Sequence, residues 1–425
     1  MRRGLLIAMT ILCLAPSCAS AQWYLFPGTK SRPDSSTVTV SEPRQQQPAE
    51  TQPLPEGTEA DEPRDSSRFS IFDLFDIFTP DIPERVALTL LLPFNTGGTV
   101  NANMMDFYSG ALLAVRDLGN EGVKIDLNSV DETVKRPIFS NPFIQSDVVI
   151  GPVSTDDLRQ ELHHCPAGKY LISPLEPKAA ALADSARVIQ APAPWECQAS
   201  ESIRWLQEEF TPSDKLVLVV EKNVELNESG RYLKALLDES GIPYATISYG
   251  ILQGMSIASS FTASSTRTGT TRFVIASDNE AFVGDAIRNI GMLKHRNLDV
   301  AVYSTSKIRS FSTIETEDLH NVNLRVAASY YIDYTDPAVK QFILAYRALF
   351  HTEPGAFAFS GYDTTRYFVD ICTKYGRMWP MKLEEYGGRG LQSSFRFRNI
   401  PGAGFVNQAV RRIIYAPDYT ITVVN

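Results

Sequence analysis

The chain has 425 residues, 44% of them apolar, and a formal net charge of −9. That length calls for more than one hydrophobic core, and the acidic balance excludes the basic face that nucleic acid requires. No run of 18 apolar residues occurs, so the sequence offers no membrane-spanning helix.

Arg2 and Arg3 precede an apolar stretch from Leu5 to Ala15, and Ala19-Ser20-Ala21 forms a small-x-small site before Gln22. Residues 1–21 therefore read as a secretory signal peptide, with the periplasm as the expected compartment. The rival reading is a lipoprotein acylated at Cys18. Ala15 stands where lipoprotein signals usually carry Leu, and Pro16 is unusual there, so soluble export is preferred. Residues 22–83, with Gln45-Gln46-Gln47 and many Pro, Ser, Thr and Glu, have too little apolar surface to offset ordering entropy. They read as a disordered tether that reaches across the envelope. Phe69, Ile71, Phe72, Leu74, Phe75, Ile77 and Phe78 form a greasy patch at its end. A turn of helix packed on the globule is preferred there over a docking peptide.

The folded part begins near Glu84. Val86 to Leu92 is continuously apolar and bounded by Pro83 and Pro93, the pattern of a strand buried on both faces. Met104, Phe107, Ala111, Leu112, Val115 and Leu118 recur at helical spacing, with Gly119 as the stop. Strands follow at Lys124 to Val130, Asp147 to Ile150, Tyr170 to Ile172 and Arg187 to Ile189. A helix capped at Ser154, Thr155 or Asp156 runs to about His164. Further helices are expected at Ser202 to Phe210, Tyr232 to Glu239 and Glu280 to Ile290. Strands are expected at Leu216 to Val220, Tyr244 to Ser248, Arg272 to Ala276 and Val300 to Tyr303. Asp336-Pro337 opens another helix with an N-cap and an N1 proline. The alternation predicts a doubly wound α/β fold. The aromatic stripes at Phe342 and Tyr346, and at Tyr367 and Phe368, read as core.

No nucleophile elbow or phosphate-binding loop is present, so the chain reads as a non-enzyme without a cofactor. His163-His164 lies beside Cys165, but adjacent helical residues point about 100° apart and do not converge on a metal. Asp131-Glu132, Asp156-Asp157 and Glu384-Glu385 read as solvated surface. Beyond Cys13 and Cys18 the chain carries Cys165, Cys197 and Cys372. A Cys165–Cys197 disulfide is left open by spacing alone.

Ala87-Leu88-Thr89-Leu90-Leu91-Leu92-Pro93, the helix around Phe107-Tyr108-Ser109-Gly110-Ala111, Val148-Val149-Ile150-Gly151-Pro152-Val153-Ser154, Leu171-Ile172-Ser173-Pro174, and Glu353-Pro354 through Gly361-Tyr362-Asp363 resemble the type I periplasmic solute-binding proteins. These are relatives of the branched-chain amino acid receptors, also called the receptor-family ligand-binding region. The tail from Gly390 to Asn407 is similar to that of a Bacteroides-type subgroup, some of which carry peptidoglycan-binding modules. The resemblance covers nearly all of residues 84–425. It implies two Rossmann-like lobes with parallel sheets, joined by three crossovers over a ligand cleft. Lobe one is expected at 84–192 plus 330–381, and lobe two at 194–329 plus 382–425.

Strand carboxyl ends and helix N-termini would face that cleft and hold a ligand carboxylate. Ser154 and Thr155 are placed for this, and Ser173 is the second candidate. Simple N-capping is the alternative for each. Glu176, in Leu175-Glu176-Pro177, stands where the amino acid receptors grip with a small residue and Thr, and it would repel a carboxylate unless a cation sits beside it. Glu221-Lys222-Asn223 offers no Tyr where the second lobe usually has one, and the segment from Asn128 to Asp147 is short by a helix. Two readings follow. One is a receptor that closes on a small polar solute and serves an inner-membrane transporter. The other is an interaction module of the cell envelope, such as a regulator of peptidoglycan synthesis, with a protein partner.

Overall fold

The computed structural model describes residues 83–134, 141–182, 185–251 and 256–424. The expected signal peptide, nearly all of the tether and the Phe69 to Phe78 patch lie outside these residues. Strand β1 (Val86–Leu92) forms as its sequence demands: Leu90, Leu91 and Leu92 have no exposed surface. Helix α1 (Ala102–Asn120) follows, with Asn101 as its N-cap. Gly119 lies inside its last turn, and the left-handed residue that ends it is Gly122, with φ +96°. Strand β2 (Ile125–Asp131) has no fully buried residue, as suits an edge strand. Strand β3 (Val148–Ile150), helix α2 (Thr155–Leu162), strand β4 (Leu171–Ser173) and strand β5 (Val188–Gln190) complete the first alternation.

The second half repeats it. Helix α3 (Trp195–Glu209) begins seven residues before its predicted start, directly after Pro194. Then come β6 (Lys215–Glu221), α4 (Glu228–Glu239), β7 (Tyr244–Tyr249), α5 (Ser256–Ser264), β8 (Thr271–Ile275), α6 (Glu280–Lys294), β9 (Val300–Tyr303), α7 (Thr316–Asn321) and β10 (Leu324–Ala328). Helices α8 (Pro337–Phe350) and α9 (Ala356–Tyr375) return to the first lobe, where α9 packs on α1. Asp336 caps α8 by accepting from the Ala338 N–H at 2.8 Å. Four strands close the chain: β11 (Phe397–Ile400), β12 (Gly404–Asn407), β13 (Arg411–Tyr415) and β14 (Ile421–Val424).

These strands make two seven-stranded sheets. The first has the order β11-β12-β5-β4-β3-β1-β2, the second β14-β13-β10-β9-β8-β6-β7. All pairings from β2 to β12 across the first sheet are parallel, as are those from β7 to β10 across the second. The hairpins β11-β12 and β13-β14 are antiparallel, and β13 also joins β10 antiparallel.

The expected transfer of the chain to the second lobe near residue 382 needs correction. Residues 397–407 belong to the first sheet, and the chain leaves it between Asn407 and Arg411. The reason is aromatic burial. The ring of Phe395 stacks on Tyr367 at 4.5 Å, and Phe397 lies 5.8 Å from Phe368, so α9 holds this tail on the first lobe. Cys165, Cys197 and Cys372 are free thiols. The Cys165 thiol donates to Lys169 O at 3.4 Å and that of Cys197 to Gln408 Oε1 at 3.1 Å, which answers the disulfide question in the negative.

Candidate functional site

The site follows from where the chain crosses between sheets. The first crossing leaves the carboxyl end of β5, the second leaves the carboxyl end of β10, and the third joins β12 to β13. Side chains just after β9 touch the first two. Ser306 Oγ donates to Gln198 Oε1 at 2.6 Å, and Gln198 Nε2 donates to Ala193 O at 3.2 Å. Arg309 donates to Tyr330 O at 3.2 Å. The carboxyl end of the second sheet is therefore tied to the first two crossings, and strand carboxyl ends are where α/β folds hold ligands.

On the first lobe, Gly151 makes the turn after β3. Its φ is +103°, and a Cβ there would lie 1.9 Å from Leu91 O, so only glycine fits. Ser154 then caps α2. Its hydroxyl accepts from the Asp157 N–H at 3.2 Å and donates to the Asp157 carboxylate. Thr155 donates to Glu176 Oε2 at 2.8 Å, and the Lys178 N–H donates to Glu176 Oε1 at 2.9 Å. The structure thus joins two of the four sequence candidates directly.

Ser173 is completely buried, and its hydroxyl has no hydrogen-bond partner. Leu171, two residues earlier on the same face of β4, packs with Leu158 and Leu162 of α2. Ser173 therefore points toward the first turn of that helix. His163 and His164 are exposed at its far end.

The second lobe supplies residues that the sequence reading passed over. Asp278, after β8, accepts from Asn227 Nδ2 at 2.7 Å, Ser229 Oγ at 2.8 Å, Lys307 Nζ at 3.0 Å and Thr305 Oγ1 at 3.1 Å. Burial alone would raise its carboxyl, but the bonds from Lys307 and Ser229 hold it below the ordinary carboxylate range. Ser304, directly after β9, is buried with an unpartnered hydroxyl, as is Ser173, the last residue of β4. The signal for both groups was available, since each follows an apolar strand with a polar cluster: Ser277-Asp278-Asn279 and Ser304-Thr305-Ser306. Among the described residues no cluster of His, Cys, Asp and Glu could hold a metal. No helix among them is long and apolar enough to cross a membrane.

No protein-family model matches the sequence, and no curated protein matches it. Solved structures do. A Rhodospirillum rubrum protein assigned as a branched-chain amino acid ABC transporter shares 16% identity over 80% of this chain and 100% of its own, with a TM-score of 0.56. A branched-chain amino acid ABC transporter periplasmic ligand-binding protein of Burkholderia xenovorans is 12% identical over 80% and 94%, with a TM-score of 0.51. An ABC-type branched-chain amino acid transporter of Rhodopseudomonas palustris is 13% identical over 80% and 96%, with a TM-score of 0.51. At this identity the likeness concerns architecture: the chain has the α/β fold of the type I periplasmic binding proteins, two lobes built on mostly parallel sheets.

Proposed function

We propose that this protein binds a small polar solute, an amino acid or peptide-like molecule, in the cleft between its lobes and does so as an exported receptor rather than an enzyme. One observation carries the reading. Each lobe buries an unpartnered hydroxyl at a strand carboxyl end, Ser173 on one side and Ser304 on the other. A buried hydroxyl without a partner costs free energy that a polar ligand would recover. Ser154, Thr155 and Glu176, which follow the carboxyl ends of β3 and β4, would complete the first-lobe half of the site. The solved structures of like fold are named for branched-chain amino acid transport, which supports a solute of this size. Nothing in the site favours the envelope interaction module over this reading.

A thermal-shift screen against amino acids, short peptides, muropeptides and sugars tests it. A true ligand at about 100 times its Kd adds about 2.7 kcal/mol, which for a domain of this size raises Tm by about 4 °C. A flat response across the whole panel would sink the receptor reading.

A further inference from the structure

We propose that Arg309, set against the rings of Tyr330 and Tyr331, receives the anionic end of the solute, and that the Thr155–Glu176 corner of the first lobe receives its cationic end. This rests on the solute-binding reading above and names the polarity of the ligand.

A helix N-terminus is the usual seat for a carboxylate. In this protein the seat at α2 is already taken from within. Glu176 accepts from the Thr155 hydroxyl at 2.8 Å and from the Lys178 N–H at 2.9 Å. The Ser154 hydroxyl is committed to Asp157. Asp156 places a third carboxylate in the same turn, matched by Arg159 at 2.8 Å. A ligand carboxylate brought here would face Glu176 and Asp157, neither of which has a cationic side chain within ion-pair distance among the described residues. An ammonium group would be drawn to the same place.

The complementary charge stands at the crossings. Arg309 arrives on the helical turn Ser306–Ser310 after β9. Its guanidinium lies 5.1 Å from the Tyr331 ring centroid and 5.9 Å from that of Tyr330. One N–H donates to Tyr330 O, while Nε is buried without an acceptor. Among the described residues no carboxylate lies within ion-pair distance of it. Its neighbour Lys307, by contrast, is neutralised by Asp278 at 3.0 Å. Arginine has five donors in a planar fork suited to a carboxylate, and here one is used. The aromatic rings offset part of the cost of holding this charge away from water. A ligand carboxylate would supply the rest. The ligand class this selects is a small zwitterion, an α-amino acid or short peptide, lying with its amino end toward the first lobe and its carboxylate toward Arg309.

The test uses calorimetric titration of the purified protein. The twenty amino acids are screened first. The strongest binder is then compared with its amide, which lacks the carboxylate, and its N-acetyl derivative, which lacks the ammonium. Both derivatives are expected to bind about 30-fold more weakly or worse, the factor for losing one partner of a desolvated charge pair. Arg309→Met should weaken the amino acid by a similar factor and leave the amide nearly unchanged. Equal affinity of acid and amide for the wild type overturns the assignment, as does an unaltered Kd in Arg309→Met. If that variant does not fold, the acid–amide comparison on the wild type decides alone. If no amino acid binds, the best-binding short peptide takes its place in the same comparison; if neither class binds the wild type, this assignment fails, whereas the solute-binding reading falls only with a flat response across the whole thermal-shift panel.

Discussion

Ser173 and Ser304 are costly to the fold, and in the proposed site a polar ligand would offset that cost. Each hydroxyl is buried without a partner, so each contributes nothing through hydrogen bonding to the free protein. Ser173→Ala should therefore leave the unliganded protein as stable as before, or more stable by up to about 1 kcal/mol, while weakening the ligand about 5- to 10-fold. Urea unfolding and calorimetric titration read the two effects separately. A loss of stability of 2 kcal/mol or more would assign Ser173 a structural role instead. The positions of Ser154, Thr155 and Ser173 at a helix start and a strand end were legible in the sequence, because apolar runs followed by hydroxyls announce such ends. Arg309 was not legible. Its significance lies in what does not surround it, and the absence of a counter-charge is a property of space, not of sequence.

At the scale of elements, α1 and α9 approach each other closely through their glycines. A Cβ on Gly110 would fall 1.9 Å from Ala358 O, and one on Gly361 would fall 2.0 Å from Phe107 O. The two glycines let the helices touch backbone to backbone, which seats Phe107 and Phe359 fully in the core. Gly110→Ala should cost about 3 kcal/mol, because the helices must separate and their shared apolar contacts loosen. A chemical denaturation midpoint unchanged from wild type would contradict this. The strands and most helices were readable from periodicity. The first half of α3 was not, because Pro192-Ala193-Pro194 reads as loop while Pro194 serves as the residue before a helix. The strands β11 and β12 are short and half polar, and their place in the first sheet was decided by the rings of α9.

At the scale of the whole molecule, two buried polar side chains tie the crossings together. Asn407 donates to Ala191 O and to Ser394 O, both at 2.8 Å, and accepts from Arg396 N at 3.0 Å and Ala409 N at 2.9 Å. Arg411 donates to the carbonyls of Tyr331, Leu391, Gly390 and Ser393. Asn407 thus joins the third crossing to the first, and Arg411 joins it to the second. Asn407→Ala should cost about 2 to 4 kcal/mol, since it strips four bonds from buried backbone groups. A Tm within 1 °C of wild type would show that the crossings are held by other means. The sequence by itself determined the two parallel sheets and their alternating helices, because burial on both faces requires continuous apolar runs and the helices must cover them. Only the tertiary structure decided where the chain changes lobes, that the three cysteines stay apart, and which charges at the cleft are paired. Those outcomes depend on contacts between residues up to some two hundred positions apart, and local pattern carries no record of such distances.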